Sequence, residues 1–169
     1  SVGGHCAEQP RSALSEAVRS LRTSLQFSTS NGLPKSLLMT STRSGEGKSS
    51  LAAGLGISFA QLGMRVLLID ADLRDPSLSS EIWGTDNALR EDDQGLSNFL
   101  SSVVAWDSVA ASTHFEGLKF IPTGPLPPNP AELLAGPRFS ELLLAVKNEF
   151  DIVIIDGPPV LELADAPSM

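Results

Sequence analysis

Two short runs constrain the fold of this chain more than any other feature: Val66-Leu67-Leu68-Ile69-Asp70 and Ile152-Val153-Ile154-Ile155-Asp156. Neither run alternates apolar with polar residues, so neither suits a sheet with one face in water. Strands of this kind belong to a parallel sheet covered on both sides. Residues 36–41 and 118–122 are predicted as two further strands. Between these runs the spacing becomes helical, over residues 12–27, 49–62, 95–100, 131–134 and 137–149. Strand and helix in alternation predict a doubly wound, mostly parallel α/β sheet.

Punctuation supports these elements. Gly63 stops the second helix, and Asn129-Pro130 offers a capping side chain followed by an N1 proline. On one side of the first helix lie Leu14, Ala17, Val18, Leu21 and Leu25. Residues 75–94 carry no clear period, and Glu91-Asp92-Asp93 reads as a solvated loop tip. Residues 1–11 are small and polar, end in Pro10-Arg11, and read as a linker. Residues 12–169 read as one domain. Open sheets of this type usually continue past the strand ending at Asp156, so the domain is expected to be incomplete at its C-terminus.

The whole chain has 169 residues, of which 41% are apolar, enough for one sizeable core. A net charge of −8 argues against a surface built for nucleic acid. It does not exclude polyphosphate, which a few local donors and a metal can hold. The single cysteine, Cys6, rules out an internal disulfide and fits a reducing compartment. No apolar run approaches the roughly 18 residues of a membrane helix.

The segment Thr42-Arg43-Ser44-Gly45-Glu46-Gly47-Lys48-Ser49 lies between a predicted strand and a predicted helix. That context is the one a phosphate-binding P-loop requires. Gly45 and Gly47 let backbone amides turn towards phosphate oxygens, and the helix N-terminus adds unpaired donors and a positive dipole end. Lys48 can reach the β- and γ-phosphates, and the Ser49 hydroxyl can bind Mg²⁺. The predicted nucleotide-binding set is Ser44, Gly45, Glu46, Gly47, Lys48, Ser49 and Ser50.

Acids close the strands beside this loop. Asp70 and Asp72 follow one apolar run, and Asp156 ends the other. In a parallel sheet the carboxyl ends of the strands line the ligand crevice. One such aspartate is readily a strand-end cap. Three on the sheet edge that carries a P-loop point to a metal and its waters beside a triphosphate.

Together these residues resemble the bacterial tyrosine kinases of polysaccharide assembly and export (BY-kinases), P-loop proteins related to the ParA and MinD ATPases. The resemblance runs from about residue 12 to residue 167. It rests on Gly45-Glu46-Gly47-Lys48-Ser49, on Asp70, Asp72 and Arg74 as an Asp-x-Asp-x-Arg motif, and on Asp156-Gly157-Pro158-Pro159. Residues 124–134 and the helix from Glu16 to Thr23 also look like the family's pattern.

The resemblance implies phosphoryl transfer from ATP, with Mg²⁺, to a tyrosine hydroxyl. Lys48 and the loop amides would hold the β/γ-phosphates. Ser49, Asp72 and Asp156 would organise the metal. Asp70 would accept the tyrosine proton, unless it and Asp72 exchange roles. Glu16, Arg19 and Arg22 match an E-x-x-R-x-x-R motif that joins relatives into a ring. A membrane-spanning modulator, fused or separate, and a cytoplasmic domain tethered to the inner membrane from outside this segment complete the implied setting.

Four departures stand beside the resemblance. Thr42 replaces the first glycine of the loop pattern, and Ser44 stands where the family usually has proline. Arg43 falls where ParA and MinD relatives keep a signature lysine. The chain contains no tyrosine, so any acceptor tyrosine must lie outside it. Two other functions remain open: a ParA/MinD-like ATPase switch, and a regulatory scaffold that ATP holds together without turnover.

Overall fold

The computed structural model describes residues 2–30, 32–40, 47–84 and 94–159, with side chains from residue 12 onward. Five strands form one sheet: β1 (Ser36–Met39), β2 (Val66–Asp70), β3 (Ala111–Ser112), β4 (Leu118–Ile121) and β5 (Ile152–Asp156). Their order across the sheet is β1-β5-β2-β4-β3. All pairings are parallel except that of the two-residue β3 with β4.

The two apolar runs form the adjacent central strands β2 and β5, and every residue of both is buried. Successive side chains point to opposite faces. Val66, Leu68, Leu118, Phe120, Ile152 and Ile154 therefore feed one core, and Leu67, Ile69, Ile121, Val153 and Ile155 the other. The first core is closed by α1 (Val2–Gln26), α2 (Lys48–Gln61) and α3 (Leu78–Trp83). The second is closed by α4 (Leu96–Ser101), α5 (Trp106–Val109), α6 (Pro130–Ala135) and α7 (Pro137–Val146). Each fully buried Leu or Ile contributes about 1.5–3 kcal/mol, so the two-sided burial of β2 and β5 is a main source of stability. This is the doubly wound α/β arrangement expected from the sequence.

Two glycines with positive φ bound α2, the helix that starts at the site. Gly47, the N-cap of α2, has φ +77°, which L side chains rarely adopt. Gly63 (φ +89°) ends the same helix. Its N–H bonds to Ala60 O at 2.9 Å and that of Met64 to Phe59 O at 3.3 Å, the paired bonds of a Schellman stop.

Several boundaries differ from expectation. The first helix begins at Val2 rather than at residue 12, so the stretch read as a linker is largely helical. Pro10 favours a helix start because it lacks an N–H. Here the backbone stays helical on both sides of it. Ala17 is exposed, and the inward face of α1 is carried by Val18 and Leu25, with Leu14 and Leu21 half-buried. Asn129 does not cap α6 with its side chain; its amide lies 3.4 Å from Glu132 Oε2 instead. The elements α3, α5 and β3 were not expected.

Trp83 and Trp106 are packing residues. Each meets a phenylalanine edge-on, Phe120 at 5.0 Å and Phe150 at 5.8 Å between ring centroids.

Candidate active site

The three strands that carry the expected residues lie side by side, and their carboxyl ends converge. In register, Met39 of β1 faces Asp156 of β5, and Asp156 faces Asp70 of β2. The start of α2 then delivers Lys48 and Ser49 to the same place. Lys48 Nζ lies 2.7 Å from Asp156 Oδ1 and 3.7 Å from Asp72 Oδ2, and it donates to the Gly157 carbonyl. The Ser49 hydroxyl donates to Asp156 Oδ2 at 2.8 Å. Lys48, Ser49, Asp72 and Asp156 thus share one small volume.

Asp70 and Asp156 are fully buried and Asp72 nearly so. Adjacent parallel strands are about 4.8 Å apart, and two unit charges at 4–5 Å repel by about 3–4 kcal/mol even at an effective dielectric of 20. Burial raises the Asp70 carboxyl well above the usual carboxylate range, and the Asp156 charge pushes it the same way. Hydrogen bonds from the Asp72 and Leu78 amides oppose this shift, and the Asp72 charge adds to it.

Asp70 Oδ1 accepts the Asp72 N–H at 3.2 Å, and Oδ2 the Leu78 N–H at 3.3 Å. Asp70 therefore ties down both ends of the segment between β2 and α3. Asp72 instead lies against the Lys48 ammonium.

The donor set fits Mg²⁺. It offers hard oxygens from Ser49, Asp72 and Asp156 and no sulfur or imidazole. Among the described residues no three His, Cys, Asp or Glu side chains form an all-protein metal cage. Mg²⁺ commonly takes one or two carboxylates and completes its shell with waters and substrate phosphates.

Of the expected nucleotide-binding residues, Gly47, Lys48, Ser49 and Ser50 lie at this crevice. Ser50 is turned aside, its hydroxyl donating to Glu81 Oε1 at 2.7 Å. Ser44, Gly45 and Glu46, with Thr42 and Arg43, lie outside the described residues. Arg74 is exposed.

The expected interface set is divided. Glu16 and Arg19 are exposed, whereas Arg22 is half-buried and its Nη1 donates to Ser58 of α2 at 2.7 Å. Three residues were not foreseen at the site. Ser77 Oγ lies 2.5 Å from Ser49 Oγ, Glu81 holds Ser50, and the Gly157 carbonyl receives Lys48. Ser77 and Glu81 were missed because residues 75–94 show no period, which hid α3. Gly157 was read only as part of a motif.

Fold and site define an α/β domain of the kind found in P-loop ATPases. An AAA-domain family model matches residues 35–169. The putative tyrosine-protein kinase CapB of Staphylococcus aureus is 35% identical over 159 residues, covering 94% of this chain and 67% of that protein. Among solved structures, the kinase domain of the Escherichia coli tyrosine kinase ETK superposes with a TM-score of 0.77 at 35% identity, covering 90% of this chain and 57% of that one. MinD of Pyrococcus horikoshii, solved with Mg-ADP, gives 0.61 at 26% identity, covering 79% and 52%. The chain belongs to the AAA-domain family and, within it, to the bacterial tyrosine-protein kinases. Their kinship with MinD is visible in the same fold.

Proposed function

We propose that this domain binds Mg-ATP and transfers its γ-phosphoryl group to a protein tyrosine, in the service of capsule or exopolysaccharide assembly. The observation that carries the proposal is the convergence of Lys48, Ser49, Asp72 and Asp156 within hydrogen-bonding or ion-pairing reach. Phosphoryl transfer asks little covalent chemistry of a protein, so positioning and charge neutralisation dominate.

Lys48 would leave its carboxylate partners for the β/γ-phosphates. Of the three oxygen donors, Ser49 and Asp156 would hold the Mg²⁺, which when bound neutralises charge on the transferred group, and Asp72 would be left to the proton. The sequence assigned the tyrosine proton to Asp70, with Asp72 as the alternate. We assign it to Asp72, because both Asp70 oxygens accept backbone amides. Asp70 becomes the residue that fixes the segment bearing Asp72.

Ring assembly through Glu16 and Arg19, a membrane-spanning modulator, and tethering to the inner membrane by a region outside this segment belong to the same proposal. No helix among the described residues is long and apolar enough to cross a membrane. The second reading is an ATPase switch of the MinD kind, supported by the MinD-like fold.

The deciding experiment incubates the longest available form of the protein with γ-labelled Mg-ATP, with Lys48→Ala as control. Label on protein tyrosine that the variant loses supports the kinase. Label released only as Lys48-dependent free phosphate supports the switch.

A further inference from the structure

The hydroxyl of Ser77 makes a polar contact at the site that no phosphate-loop or strand-end motif explains. Ser77 is the N-cap of α3, and serine at that position ordinarily turns its oxygen onto its own helix's first amides. Here it makes no such bond. Its Oγ is directed across the crevice to Ser49 Oγ at 2.5 Å, 28 residues away in sequence.

Hydrogen-bond accounting fixes the direction of this contact. A serine hydroxyl has one proton and two lone pairs. Ser49 gives its proton to Asp156 Oδ2 at 2.8 Å, so towards Ser77 it can only accept. The chain therefore runs Ser77 to Ser49 to Asp156, and it leaves Ser49 Oγ with one uncommitted lone pair. A hydroxyl that ligates a cation must turn its proton away and present a lone pair, and these two bonds hold Ser49 in that orientation.

The same contact joins the two halves of the site. Asp70 anchors the segment from Asp72 to Leu78 by its two ends, and Ser77 ties that segment to the first turn of α2. The Ser50–Glu81 hydrogen bond reinforces the junction one turn further along.

We propose that Ser77 is a positioning residue for the metal of the nucleotide site, acting through the orientation of Ser49. This rests on the Mg-ATP reading above. It is distinct from a capping role, because the side chain does not cap α3.

The test titrates a fluorescent ATP analogue into the full-length protein at a series of Mg²⁺ concentrations. The wild type is compared with Ser77→Ala, Ser77→Thr and, as a control, Ser49→Ala. Losing one neutral hydrogen bond corresponds to roughly a three- to tenfold effect. Ser77→Ala is expected to raise the Mg²⁺ concentration for half-maximal binding by about that factor. Binding at saturating Mg²⁺ should stay within about twofold of wild type, and Ser77→Thr should restore the wild-type Mg²⁺ dependence.

If Ser77→Ala matches wild type while Ser49→Ala loses its Mg²⁺ response, the proposal for Ser77 is wrong and the nucleotide site stands. Equal weakening of Ser77→Ala at every Mg²⁺ concentration, with a lowered melting temperature, would assign Ser77 a structural role and also overturn it. A wild type whose binding ignores Mg²⁺ removes the Mg-ATP reading and this proposal together.

Discussion

Asp70 and Asp156 occupy paired positions on neighbouring parallel strands, both without solvent exposure. Two carboxylates so placed cannot both carry an uncompensated charge, and the two are treated differently. Asp156 meets the Lys48 ammonium at 2.7 Å, while Asp70 is held by amides and pushed towards its neutral form.

The division has a consequence for stability against pH. The folded-state pKa of Asp70 is raised, chiefly by burial, so the folded protein keeps a proton there that the unfolded chain releases. Its contribution favours the fold below the unfolded carboxylate pKa and is lost as pH rises towards the folded value. The nucleotide-free protein should lose about 1.4 kcal/mol for each pH unit through which only the folded state stays protonated. Urea unfolding followed upward from pH 4 should show stability falling more steeply with pH in wild type than in Asp70→Asn. Parallel slopes would contradict it.

Lys48 compensates the buried carboxylates when no nucleotide is present. Removing one partner of a buried ion pair costs about 3–5 kcal/mol. Lys48→Ala should therefore lower unfolding free energy by up to about that amount, and it should reduce phosphoryl transfer by at least 10²–10³-fold, the order expected for losing one preorganised charge contact. Chemical denaturation alongside a transfer assay tests both. An unchanged midpoint would mean that the carboxylates have another counter-charge.

Asp72 and Asp70 are separable by kinetics. Asp72→Asn should reduce kcat by roughly 10²–10⁴-fold, as for a missing general base, with nucleotide affinity little changed. Asp70→Asn should act on both, because it loosens the segment that carries Asp72. The reverse pattern would return the base to Asp70.

On α1, Arg19 and Arg22 should behave differently despite belonging to one motif. Arg19→Glu, at an exposed position, should weaken self-association in sedimentation while leaving the melting temperature within about 1–2 °C, as surface changes usually do. Arg22→Ala removes the bond to Ser58 and should lower stability by about 1–2 kcal/mol. Equal effects on assembly and none on stability would put both side chains at the interface alone.

The close approach of α1 to α2 can be tested at Gly54. A Cβ there would lie 2.9 Å from Val18 Cγ2. Gly54→Ala should therefore cost about 1–3 kcal/mol through overpacking, more than the gain in helix propensity of roughly 1 kcal/mol. A more stable variant in thermal unfolding would show that α1 shifts freely.

Much of this was legible in the sequence because the central strands are apolar throughout and each ends in an acid. A run such as Ile152 to Ile155 has few alternatives to a doubly covered strand, and Asp70, Asp72 and Asp156 then fall at its edge by geometry. The short elements were not legible. Six-residue α3, four-residue α5 and two-residue β3 are set by contacts such as Trp83 on Phe120, which no local period records. Arg22 was placed with Glu16 and Arg19 because the three match the family's E-x-x-R-x-x-R motif. They spread over about 120°, enough for the last to turn inward against α2. The Ser77 contact spans two segments and became visible only in three dimensions.

The strand order carries a temporal meaning. β5, among the last elements of the described chain to be synthesised, lies between β1 and β2, which precede it by more than 80 residues. The two earlier strands have no direct partner in each other, and the cradle around Lys48 and Ser49 lacks its wall until Asp156 arrives. Domains emerge N-terminus first at about 5–20 residues per second, and contacts between distant segments form slowly. A ribosome-bound chain halted before residue 152 would present the phosphate loop and Asp70 without a working nucleotide site, so ligand capture reports completion of the sheet's centre.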